Sequence, residues 1–138
     1  MSETGRVTDD PRFRAGADLF DKEDFFEAHE DWEALWHETR GEPRDFVQGL
    51  IQVTSAMHHL RNGNMRGARL LHDSGIGLLA PYGDAYDGVD LKALRGLFDG
   101  ALKEILSEPL EKLPGRGHSG TILIPYSPGR AFKLPFKP

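Results

Sequence analysis

Cysteine is absent from the 138 residues, which excludes disulfides, thiolate metal sites and cysteine nucleophiles and fits a reducing compartment. Long apolar runs are absent too. The longest stretch without a charged side chain, Phe46 to Leu60, is interrupted by Gln48, Gln52, His58 and His59. It falls short of the ~20 residues a bilayer span needs, so it reads as a buried core helix and no membrane partner is expected. Met1 to Asp10 lacks the basic and apolar parts of a signal or transit peptide, so a cytoplasmic location is expected. Acidic residues stop at Glu111; the remainder carries Lys112, Arg116, Arg130, Lys133 and Lys137, a basic tail beside a strongly acidic body. Such a tail is better suited to docking on that body, or on a second copy of it, than on nucleic acid. The expected partner is therefore a homo-oligomer formed through the helices or the tail. The phosphate loop GxxxxGK[ST], the GxSxG elbow, HExxH and CxxC are all missing.

What is present is helical periodicity punctuated by turn signals. The pattern predicts an all-α fold, a five-helix antiparallel bundle over residues 1–112 followed by an extended Pro/Gly-rich arm over 113–138. Helix one runs from Pro11 to about Phe20, and helix two from about Asp24 to Thr39, before Gly41. Helix three runs from Pro43 to Asn62 and ends at Gly63; helix four runs from the Asn64 cap to about Leu79. Helix five, capped by Asp90, covers Leu91 to Leu106. Prolines and glycines from Pro114 onward forbid a helix there, but Ile122, Leu123, Ile124, Tyr126, Phe132, Leu134 and Phe136 are enough apolar anchors to pack the arm on something.

Chemistry, if present, lies on helices two and three. At ~100° per residue, Phe25, Ala28, Trp32, Leu35 and Trp36 define the core face of helix two, with His29 on its shoulder. Glu33 lies next on the wheel and Phe26 beyond it, so burying Phe26 would bury that carboxylate as well. Glu27 and Asp31 face solvent, and Glu30 and His37 sit at the margin. On helix three, Gln48, Gln52, Ser55 and His59 share a strip about 60° wide, which reads as a buried polar seam. Mutual hydrogen bonding of these groups is the plain structural explanation of such a seam. His72 and His118 look incidental.

A His and a carboxylate four residues apart on one helix form a common ligand pair, so His29, Glu33 and His59 are an alternative metal set, suited to zinc or ferrous iron with an open position. A hairpin centred on Gly41 places His59 roughly 9 Å along the axis from His29, at ~1.5 Å per residue, which counts against that set. No metal is therefore favoured.

Three segments carry a resemblance: Phe25 to Trp36 reads FFEAHEDWEALW, Arg44 to Gln52 reads RDFVQGLIQ, and Gly63 to Leu71 reads GNMRGARLL. Together they resemble the prokaryotic domain-of-unknown-function family 309, over about residues 13 to 80. The resemblance implies a compact helical bundle with Glu27, His29, Glu30, Glu33, Trp36, Gln48 and Gln52 as signature positions, and it implies no activity.

Two functions stand side by side, and the sequence leaves open whether the protein is an enzyme. The first is a small helical binding or scaffold domain whose polar seam fixes helix register. The alternative is a small-molecule or metal-dependent hydrolase-like enzyme with His29, Glu30 and Glu33 as catalytic candidates, Glu33 or Glu30 serving as general base in a pocket walled by Trp32 and Trp36.

Overall fold

Asp10 starts the first helix by accepting the Arg12 backbone N–H at 2.8 Å, with Pro11 pre-set at the first helical position. In this computed structural model, which describes residues 5–115, 120, 126 and 130–137, that helix is α1 (Pro11–Asp21). It is followed by α2 (Phe25–Glu38), α3 (Pro43–Arg61) and α4 (Met65–Leu79). Connections of three or four residues make successive helices neighbours that run back along one another. Among the described residues no helix is long and apolar enough to cross a membrane.

The core lies where α1, α2 and α3 meet. Phe13 stacks on Phe46 at 6.3 Å between centroids and Phe20 stacks on Trp32 at 6.2 Å. Trp32 is 1 % exposed; its indole N–H donates to the Phe13 carbonyl at 3.0 Å. The ring lies so close to α1 that a Cβ on Gly16 would fall 2.4 Å from the indole nitrogen. On the other side, α3 and α4 approach through glycines. A Cβ on Gly49 would meet the Leu79 side chain at 2.7 Å, and one on Gly75 would sit 3.4 Å from the Gly49 carbonyl oxygen.

Beyond α4 the structure departs from the expected five helices. Strands β1 (Ala85–Tyr86) and β2 (Val89–Asp90) form a hairpin whose two turn residues, Asp87 and Gly88, have φ of 47° and 86°. Two consecutive left-handed residues make the tight turn that matches strand twist, for which Asp-Gly is a favoured pair. The fifth predicted helix is two: α5 (Leu91–Ala101) and the short α6 (Lys103–Leu106), broken where Leu102 leaves helical geometry at φ −109° and ψ 14°. His72, read as incidental, is a buried tie between α4 and α5. Its two ring nitrogens lie 2.9 Å from Asp73 and 2.7 Å from Asp99, and its ring packs on Phe98.

Residues 130–137 lie across the body of the same chain. Phe136 pairs antiparallel with Val89, flanked by Asp90 N–H to the Pro135 carbonyl (3.0 Å) and Lys137 N–H to the Gly88 carbonyl (2.7 Å). Leu134 is buried, and its N–H donates to Asp21 at 2.8 Å. Phe132 packs on Phe20 and Phe98, and the Tyr126 hydroxyl donates to Glu23. The Arg130 guanidinium binds both the Ala101 carbonyl and Glu104. The expected anchors Ile122, Leu123 and Ile124, with Arg116 and His118, lie outside the described residues.

Two outcomes follow from these contacts. Gly16→Ala forces the indole of Trp32 off Phe13 and is expected to cost about 1–3 kcal/mol of unfolding free energy, measured by urea titration. Arg130 holds the Glu104 carboxyl down to about 2. A group held below its ordinary value stabilises the fold above that value, about 4.5, and loses the contribution as pH falls through about 2. Because Glu104 is half-exposed, the contribution is at most ~1 kcal/mol. The melting-temperature gap between wild type and Glu104→Gln should be open at pH 6 and closed near pH 2.

Candidate functional site

The first turn of α2 is positioned by a strained turn. Glu23, between α1 and α2, has φ 63°, a left-handed conformation that a non-glycine residue adopts only when its surroundings hold it. Arg61, at the end of α3, donates to the Glu23 carbonyl and lies over the Phe25 ring at 5.6 Å. Tyr126 holds the Glu23 side chain, and burial together with that carboxylate pushes the phenol up from its usual range.

From this anchored start, α2 places three metal-ligating side chains together. The His29 Nδ1 lies 3.6 Å from a Glu30 oxygen and its Nε2 3.7 Å from a Glu33 oxygen. One ligand atom from each of His29, Glu30 and Glu33 can be chosen so that all lie within 4.8 Å of one another. Their side chains are 28 %, 54 % and 44 % exposed, so the group sits at the surface with room for the two glutamates to rotate. His59, the third member of the alternative set, is not in this group, which contains Glu30 and comes from α2 alone.

The cluster opens onto a half-open cleft of about 210 Å³ between α2 and α3. Phe25 and Phe26 form the α2 side together with His29 and Glu30, and Ser55, His58 and His59 form the α3 side. The Phe26 ring is 57 % exposed and stands 6.2 Å from the His58 ring. His58 and His59 are held by side-chain contacts to Asn62 (3.2 Å) and Asn64 (3.1 Å).

Several expectations are corrected by this arrangement. The polar strip of α3 is not fully enclosed: Gln48, Gln52, Ser55 and His59 are all half-buried, and of their side chains the Gln52 oxygen is buried, beside Gly75 of α4. The cleft is not walled by Trp32 and Trp36. Trp32 is committed to α1, and Trp36 lies under the Arg44 guanidinium at 4.0 Å, with no partner for its buried indole N–H among the described residues. Glu27 points to solvent as the wheel indicates. Phe26 and His58 were missed as site residues. The signal was Phe26 lying beyond Glu33 on the wheel: an exposed Glu33 brings an exposed Phe26 with it.

Gln52 carries a buried side-chain oxygen without a partner among the described residues. Replacing such an amide with an apolar side chain of similar size removes an unsatisfied acceptor. Gln52→Met is therefore expected to leave unfolding free energy unchanged or raise it by up to ~1 kcal/mol in urea titration. A loss of more than that would mean the amide is structurally required.

Comparison with known proteins falls on this same region. The family model described as Domain of unknown function (DUF309) matches residues 13–71, from the first buried aromatic of α1 into the first half of α4. The matched stretch contains every residue of the cleft and of the His29, Glu30 and Glu33 cluster. No curated protein matches the chain.

Proposed function

We propose, from a DUF309 segment that holds the whole cleft, that this is a small helical binding domain whose ligand is a divalent transition metal, zinc or ferrous iron, held by His29, Glu30 and Glu33. The observation that carries this reading is the gathering of one imidazole and two carboxylates within 4.8 Å on a single helix face, at the mouth of a cleft. Bringing these atoms to ~2 Å from an ion needs only side-chain rotation, which the exposure of both glutamates allows. Nitrogen and oxygen donors of this kind suit those two metals. Three protein donors leave at least one position for a molecule in the cleft, where a bound ion would supply Lewis acidity. With both glutamates ligating, the imidazole of His58 across the cleft is the group able to take or give a proton there.

The scaffold reading, in which the polar strip of α3 only fixes helix register, calls for an enclosed strip. Half-buried Gln48, Gln52, Ser55 and His59 support it less well than the cluster supports a metal.

Calorimetric titration of untagged, chelator-treated protein with zinc tests the reading. One equivalent should bind, and at a free zinc concentration of 100 Kd the fold should gain about 2.7 kcal/mol. His29→Ala and Glu33→Gln should each weaken binding by at least tenfold, while metal-free melting temperatures stay within about 2 °C of wild type, since the ion pairs they remove are partly exposed. Unchanged zinc affinity in both variants would overturn the assignment.

A further inference from the structure

One side of α4 presents no charge to its surroundings. At ~100° per residue, Gly67, Leu70, Leu71, Ser74, Gly77 and Leu78 fall within roughly 120° of the helix surface. The charged residues of α4 are engaged elsewhere. Arg66 binds the Leu110 carbonyl, Arg69 the carbonyls of Ile105 and Glu108, and Asp73 pairs with Arg69 and His72. On the uncharged side Leu70 is 50 % exposed. The face widens onto α3: a Cβ on Gly49 would lie 3.5 Å from that of Leu78, and one on Gly75 would lie 3.4 Å from that of Gln52. The polar strip of α3, which has no Asp, Glu, Lys or Arg, is therefore continuous with it.

Gly77 on this face is a costly residue with no internal reason. Glycine inside a helix destabilises it relative to alanine, yet a Cβ built on Gly77 meets nothing within 4 Å. Gly49 and Gly75 serve the approach of α3 to α4, whereas Gly77 leaves room for a backbone coming from outside. Charge decides what comes. The chain carries a net charge of -5, so most of its surface repels a second copy, and a two-fold contact lays one patch against the same patch. A patch without charges meets itself without like-charge repulsion and offers a charged peptide or nucleic acid no partner. We infer that the uncharged face of α4, with the α3 strip beside it, is the contact between two copies of this chain, α4 crossing α4 antiparallel about Ser74. That crossing sets Leu70 of one copy against Gly77 and Leu78 of the partner subunit. With 15 residues α4 is ~22 Å long, and α3 lies ~8–10 Å from it, a patch at the small end of specific interfaces that makes a reversible dimer. The contact uses none of His29, Glu30 and Glu33, so it needs no metal.

Sedimentation velocity of the full, untagged and metal-free chain, from about 1 to about 300 μM, tests this. A monomer–dimer equilibrium is expected, and its affinity should hold or rise between about 0.05 and about 0.5 M salt, because salt screens the repulsion of two acidic copies. Leu70→Glu brings two carboxylates together across the two-fold axis and should weaken the dimer about tenfold or more, while the melting temperature of dilute protein holds. Gly77→Ala should move two readouts in opposite directions: dilute protein melts a few degrees higher, and the dimer is weaker. Leu97→Glu, at a 43 % exposed position on α5, should leave the equilibrium as it is. A monomer throughout the range, a dimer that salt dissolves, or one that survives Leu70→Glu or is lost equally with Leu97→Glu would overturn the assignment. A dimer unchanged by Gly77→Ala overturns the crossing about Ser74.

Discussion

The rest of the molecule depends on α3, a helix with no charged side chain from Phe46 to Leu60, packed on two sides at once. On one side Phe46 and its neighbours close against α1 and α2; on the other, Gly49 and Gly75 let α4 approach backbone to side chain. Two buried sides on one helix leave a third that is neither core nor fully solvent. Ser55 and His59 on that third side, with His58, face α2 across the cleft. His29 and Glu30 line the other wall of that cleft, with Glu33 beside His29.

Around this axis the remaining segments act as braces. Tyr82 illustrates the kind of work they do: its hydroxyl accepts the Phe46 backbone N–H at 3.0 Å and donates to the Glu42 carbonyl, capping α3 from 36 residues away. Arg66 and Arg69 on α4 bind the carbonyls of Leu110, Ile105 and Glu108, terminating the segment after α5. Residues 130–137 tie β2, α1 and α5 together. Some of these contacts satisfy backbone groups at helix ends, among them the Phe46 N–H and the Ala101 and Ile105 carbonyls. Arg61, on the backbone carbonyl, and Tyr126, on the side chain, hold the strained turn at Glu23, which links the bracing of the fold to the start of α2 and so to the cleft.

The four main helices were legible in the sequence to within a residue or two because strong local signals marked their ends: Asp10 with Pro11, Pro43, Gly63, and Asn64. What was missed was also local but short. Asp87-Gly88 is a hairpin signal, yet two-residue strands carry no periodicity to flank it. The break at Leu102 has no proline or glycine at the position itself. For the site, the wheel put His29 and Glu33 on one face, and the family resemblance added Glu30. The absence of charge on the α3 strip does not distinguish an enclosed strip from a half-buried one, and Ser55 and His59 of that strip line the cleft. The role of His72 could not be read from one helix, since Asp99 comes from another.

The central claim, that one face of α2 is a metal site, is tested most directly by watching the histidine ring nitrogens during zinc titration with long-range nitrogen–proton NMR. The account predicts that one ring nitrogen of His29 moves and saturates at one equivalent while the His72 ring, held between Asp73 and Asp99, stays where it is. A His29 ring unaffected at saturating zinc, or all histidines shifting together without saturation, would contradict it.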